Sequence, residues 1–130
     1  MARILIVDDE PALLGSLRRL LQQHDHQVDC AEDGIGALTC LAGSTFDLLV
    51  LDINMPGMDG VEVMRSLRGA RHRVPVLAMT GGGMVEGDLL LTTARALGAA
   101  GTLDKPFGAK EFITAVEGAL DSGPASRAAG

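Results

Sequence analysis

Asp8 and Asp9 in "ILIVDDE", Asp52 in "LLVLDINMPGMDG", Thr80 in "PVLAMTG" and Lys105 in "LDKPF" carry side chains that could work together on a charged substrate. Taken singly they are ordinary. An Asp after an apolar run is commonly a turn or cap residue, and Asp9 alone would be read that way. A Thr ahead of "GGG" closes a strand, and a Lys usually lies at the surface. Taken together they make a chemical set. Three crowded carboxylates raise one another's pKa unless a cation intervenes. Oxygen donors without Cys or His select a hard ion, and a few carboxylates completed by a backbone carbonyl and water suit Mg²⁺ better than a calcium cage. A divalent ion and the Lys105 ammonium would attract a phosphoryl group to Asp52, and Thr80 could donate to one of its oxygens. A positioned nucleophile with charge stabilisation around it is what phosphoryl transfer requires.

Something must bring residues so distant in sequence to one rim. Short apolar runs, "RILIV" (3–7), "QVDCA" (27–31), "DLLVLDI" (47–53), "VPVLAM" (74–79) and "AGTLD" (100–104), read as strands. Continuous apolar character in the first, third and fourth fits a parallel sheet covered on both faces. Between them the period is helical. In "PALLGSLRRLLQQH" the leucines at 13, 14, 17, 20 and 21 share one face, and Asp9 ahead of Pro11 suits the helix start. Further helices are expected at 34–43, from Asp59 (capping, with Glu62 three residues on), over roughly 85–97 and over roughly 109–121, the last with Phe112, Val116 and Leu120 on one face. The order βαβαβαβαβα predicts five strands, five helices and right-handed crossovers in an α/β fold. In such a sheet, ligands bind outside the carboxyl ends of the strands, where all five of these residues fall. One domain over 1–121 and a small, polar tail over 122–130 are expected.

Composition narrows the function classes. The 130 residues are 47% hydrophobic and 22% charged, with three Phe and no Trp or Tyr, so the core must be aliphatic. A net charge of −6 gives no footprint for a nucleic-acid backbone. No apolar run is long enough to span a bilayer. Six residues between Met1 and Asp8 leave no room for a secretory signal, so a cytoplasmic location is expected. Cys30 and Cys40 have no metal or disulfide-framework spacing and read as reduced, packed thiols.

The four motifs, in order and register over about residues 2–120, resemble the receiver domain of bacterial two-component response regulators, in its single-domain, chemotaxis-regulator-like form. The resemblance implies a doubly wound, flavodoxin-like parallel sheet of order 2-1-3-4-5. It implies that Asp52 accepts a phosphoryl group from a phosphohistidine on a sensor kinase or histidine phosphotransfer protein. Asp9, Asp52 and the backbone carbonyl of Asn54 would ligate Mg²⁺, with Asp8 acting through water. Lys105 would pair with the phosphoryl group and Thr80 would turn toward it as the switch. It also implies a cis Lys105–Pro106 peptide, a downstream output protein, self-catalysed phosphorylation and dephosphorylation in place of enzymatic turnover, and a possible homodimer through the fourth helix, fifth strand and fifth helix.

Two departures from the family pattern bear on signalling. Thr102 stands three positions before Lys105, where the switch usually has an aromatic ring. "TGGGM" puts three glycines after Thr80, and glycine raises the entropy of an open loop, so 81–87 is expected to be mobile without phosphate and ordered with it. Other readings turn on particular residues. His24 and His26 in "HDH" do not face one side of a helix and read as a solvated turn. Met55 and Met58 read as loop packing, or as a contact surface, and Asp59 as a helix cap. A phosphatase with an aspartyl nucleophile would want a proton-transferring acid where Asn54 stands. A flavin or nucleotide module would want a Gly- or Ser/Thr-rich phosphate loop in place of "DDEP". A non-phosphorylated, protein-binding pseudo-receiver stays open.

Overall fold

The computed structural model describes residues 1–81 and 92–122. Strands β1 (Arg3–Val7), β2 (Gln27–Ala31), β3 (Leu48–Asp52), β4 (Val76–Thr80) and β5 (Gly101–Asp104) form one parallel sheet in the order β2-β1-β3-β4-β5. Helices α1 (Pro11–Gln23), α2 (Gly34–Gly43), α3 (Gly60–Gly69), α4 (described over 92–96) and α5 (Ala109–Asp121) connect and cover it. The doubly wound fold and its strand order are therefore as expected.

The apolar runs are continuous because both faces of the sheet are roofed. Ile4, Ile6, Leu48, Val50, Leu77 and Met79 pack on one side with Leu14, Leu17 and Leu21 of α1 and Phe112 and Val116 of α5. Their neighbours Leu5, Val7, Leu49, Leu51, Val76 and Ala78 point the other way, against Ala37 and Leu41 of α2, Val61, Met64 and Leu67 of α3 and Ala94 of α4. Successive strand residues alternate faces, so one aliphatic run feeds two cores. Every residue of β3 and β4 is buried, whereas β2 and β5 at the edges are partly exposed.

Several boundaries move. The strand expected from Val74 begins at Val76, because Pro75 has no N–H for the ladder and the Val74 amide instead donates to His72 Nδ1 at 3.2 Å. At its other end the strand runs one residue past Met79 to Thr80, which pairs with Asp104. The α1 N-cap is Glu10, not Asp9, and it makes no side-chain capping bond; its N–H donates to Asp8 Oδ1 at 2.9 Å. In α3 the expected cap holds, with Asp59 Oδ1 accepting the Glu62 N–H at 2.9 Å. On α5 the buried set is Phe112, Val116 and Ala119, with Leu120 only half-buried.

His26 is not a purely solvated turn residue. Its Nδ1 accepts the backbone N–H of Ala2 at 3.1 Å, while His24, exposed, contacts the Leu20 carbonyl at 3.0 Å. Cys30 and Cys40 are free and half-buried, and burial pushes the Cys30 thiol pKa up. The fourth helix was expected from about 85; of that span, 85–91 lies outside the described residues. The same holds for the tail beyond Ser122, which caps α5.

Candidate functional site

The parallel registers set the geometry of the rim. Val7 pairs with Leu51, so Asp8 and Asp52 leave their strands level with each other. Asp52 pairs with Met79 and Thr80 with Asp104, which puts Thr80 one step along β4 and Lys105 one step past the end of β5. The Lys105 N–H donates to the Thr80 carbonyl at 2.7 Å, tying the last two positions together. Between β1 and β3 the strand order reverses, opening the crevice that binds ligands in folds of this kind. The Lys105–Pro106 peptide is cis, as expected.

Side chains converge there as the spacing suggested. Carboxylate oxygens of Asp8, Asp9 and Asp52 lie within 4.8 Å of one another, with Asp8 and Asp52 buried and Asp9 exposed. Lys105 Nζ is 2.7 Å from Asp8 Oδ2 and 3.5 Å from Asp52 Oδ2, so the ammonium bridges the two buried acids. The Asn54 backbone N–H donates to Asp52 Oδ1 at 3.2 Å. Among the described residues, Thr80 Oγ1 is buried without a hydrogen-bond partner.

Electrostatics follow from this crowding. Burial pushes the Asp52 carboxyl up to about 6, the Asp8 charge adds to the rise, and Lys105 and the Asn54 N–H oppose it. Burial would lower the Lys105 ammonium, but its hydrogen bond to Asp8 and the charges of Asp52 and Asp8 outweigh that and hold its pKa above the ordinary lysine value. Three carboxylates against one ammonium leave an excess of negative charge. All the donors are hard oxygens, which fits a divalent cation of the magnesium class. The unpartnered Thr80 hydroxyl fits an oxygen-rich ligand, since a buried hydroxyl without a partner is otherwise costly.

A model of the response regulator receiver domain family matches residues 4–117. The chain belongs to that family. Among its relatives, the response regulator MprA of Mycobacterium tuberculosis is 40% identical over 118 residues, which is 91% of this chain and 50% of the relative. MprA of Mycobacterium avium is 39% identical with the same coverage. The chain thus spans about half the length of the curated relatives it matches. Solved receiver structures superpose closely. Chemotaxis protein CheY4 of Vibrio cholerae is 30% identical with a TM-score of 0.80, covering 90% of this chain and 97% of that one. Response regulator TrrA of Thermotoga maritima, solved in complex with Mg²⁺-BeF, is 32% identical with a TM-score of 0.77, covering 92% and 99%.

Within this receiver the remaining motif residues also find places. Met55 is buried and Met58 half-buried against the core, which is loop packing. Gly60 was not singled out by sequence, yet a Cβ there would stand 2.6 Å from Ile53 Cα and 2.7 Å from the Asp52 carbonyl oxygen. Only a glycine lets α3 start hard against the residue that carries the central carboxylate. Thr102, at the position where an aromatic is usual, accepts a hydrogen bond from the Arg95 guanidinium at 3.1 Å. The expectation of a loop ordered by phosphate falls on 81–87, of which only Gly81 is among the described residues, and it is exposed.

Proposed function

We propose that this receiver accepts a phosphoryl group on Asp52 from the phosphohistidine of a sensor kinase or phosphotransfer protein, in a Mg²⁺-dependent reaction, and thereby changes its affinity for an output protein. The observation that carries this reading is the buried Asp52 carboxylate, 3.5 Å from Lys105 and within 4.8 Å of the Asp8 and Asp9 carboxylates.

In this reading Asp9, Asp52 and the Asn54 backbone carbonyl would hold Mg²⁺ directly, and Asp8 would hold it through water. Bound there, the ion would offset the negative charge shared by carboxylate and phosphoryl oxygens. An Asp52 carboxylate oxygen attacks phosphorus; the O–P bond forms as the N–P bond breaks, and the imidazole, protonated on its other nitrogen, leaves neutral. The Asn54 N–H fixes Asp52 Oδ1 and so limits rotation of the nucleophile. Lys105 pairs with one phosphoryl oxygen, and Thr80, whose hydroxyl has no partner among the described residues, donates to another. Hydrolysis by water returns the carboxylate and inorganic phosphate. The chain thus acts on itself and turns over no separate substrate.

A cytoplasmic location goes with this reading, and none of the described helices is long and apolar enough to cross a membrane. A homodimer through α4, β5 and α5 would be one form of the output. The test is incubation with Mg²⁺ and acetyl phosphate, read by intact mass. One added phosphoryl group is expected, absent without Mg²⁺ and absent in Asp52→Asn. Labelling that persists in Asp52→Asn, or none in the native chain, refutes the proposal.

A further inference from the structure

We propose that Gly34, the first residue of α2, is a positioning residue for the phosphoacceptor site, because it is the wall against which the far limb of the Asp52 loop rests. This rests on the phosphoacceptor reading and adds a residue to it that touches neither metal nor phosphate.

The loop from Ile53 to Asp59 is held at its near end by β3. Ile53 N–H donates to the Met79 carbonyl at 2.8 Å, and the Gly60 N–H closes the loop on the Ile53 carbonyl at 2.9 Å. Its crown, Asn54 with Pro56 and Gly57, is exposed, and Gly57 has φ of 75°. Its far limb is Met58. There the support comes from across the fold: a Cβ on Gly34 would lie 2.8 Å from Met58 Cγ, 2.9 Å from the Met58 carbonyl oxygen and 3.0 Å from Met58 Cβ. Two of those three atoms do not move with a change of side-chain rotamer. Even the smallest side chain at 34 must therefore push the loop itself.

Gly34 does not readily yield in its turn. Asp33 caps α2 by accepting the Gly36 N–H at 2.7 Å, and the Ala31 carbonyl, at the end of β2, accepts the Asp8 N–H at 3.2 Å. The start of α2 is thus referenced to the same strand end that supplies Asp8. The loop it supports carries the Asn54 N–H that orients Asp52. Groups that hold metal ligands in place set metal affinity without contacting the metal, and Gly34 acts one contact further out, through the loop that carries Asn54.

The test uses Gly34→Ala, Gly34→Ala with Met58→Ala, and Gly15→Ala, a helix glycine with nothing within 4 Å of its would-be Cβ. Amide spectra without metal and Mg²⁺ titrations are recorded for each. Gly34→Ala should shift the amides of Asn54 and Met58 before any metal is added and weaken Mg²⁺ binding by about 10-fold, the low end of what loss of a ligand's own outer partner costs. Saturating Mg²⁺ should return its rate of labelling by acetyl phosphate to near the native one. Removing the Met58 side chain should recover part of the lost affinity, and Gly15→Ala should change nothing. If native protein binds Mg²⁺ and Gly34→Ala binds it equally, or shifts only α2 amides, Gly34 is structural and the proposal falls alone. If native protein binds no Mg²⁺, the phosphoacceptor reading and this one fall together. Should Gly34→Ala not fold, the double variant decides: weakened binding with shifted Asn54 supports the proposal, and native affinity overturns it.

Discussion

Asp52 is a buried acid in a crowd of acids, and its protonation should be visible in stability. Its folded pKa, raised from 3.8 to about 6, means that the metal-free native state binds more protons than the unfolded chain between those values. Stability from this group is present below 3.8 and is lost as pH rises through 6. Asp52→Asn should therefore stabilise the metal-free protein above pH 6, by about 1–2 kcal/mol once the shift is discounted for screening, and have little effect near pH 3.5. Urea titrations at the two pH values check this; an Asn variant less stable at neutral pH would contradict it. Thr80 makes a related case. Its buried hydroxyl has no partner among the described residues, so Thr80→Val should raise metal-free stability by about 1 kcal/mol and abolish the amide shifts that a phosphoryl mimic induces near β4. At this scale the sequence was informative, since the carboxylates, Thr80 and Lys105 could be singled out by type and place. What it concealed was which atoms pair: that Lys105 bonds Asp8 more closely than Asp52, or that His26 holds the Ala2 amide, follows from side-chain positions.

Elements were legible where hydrophobicity and backbone need coincide, and less so where they part. β1 and β2 fall on the expected residues because their runs end where the ladder between them ends, and α2 does because Asp33 caps its start. At β4 they do not: Val74 is apolar and buried, but the ladder cannot use Pro75, so the strand starts two residues later. Contacts between elements carried no local signal at all. Gly34 against Met58 and Gly60 against Asp52 join residues that no periodicity relates. Gly60→Ala should cost about 1–3 kcal/mol, the usual range for overpacking, with chemical shifts moving at Ile53 and Asp52 as well as in α3. A variant with native stability and an unshifted Ile53 would mean that α3 can retreat without disturbing the strand.

For the whole molecule, the sheet keeps two aliphatic cores apart and gathers excess negative charge at one end. Loading that end with a divalent cation should stabilise the entire fold, because the ion binds the native state and not the unfolded chain. At a free Mg²⁺ concentration of about 100 times its Kd, the gain is about 2.7 kcal/mol, or on the order of 10 °C in Tm for a domain of this size. Asp9→Ala should remove most of that increment while leaving the metal-free Tm little changed. A melting curve that ignores Mg²⁺ would deny the ion a place among these carboxylates. The α/β class was legible in the alternating strand and helix periods, which leave few topologies for a chain of this length, whereas the strand order 2-1-3-4-5 came from the family resemblance.

The hydrogen bond from Arg95 to Thr102 occupies a place where many receivers carry a ring, in a chain with neither Trp nor Tyr. The protein is consequently almost dark in the near ultraviolet. Thr102→Trp would give it a single indole at the junction of α4 and β5, with no background emission to subtract. Its fluorescence should change in intensity or wavelength when acetyl phosphate and Mg²⁺ are added to the otherwise native chain, and stay constant when Asp52→Asn is present as well. An optical readout of Asp52 could thus be installed at a site where this chain carries no ring.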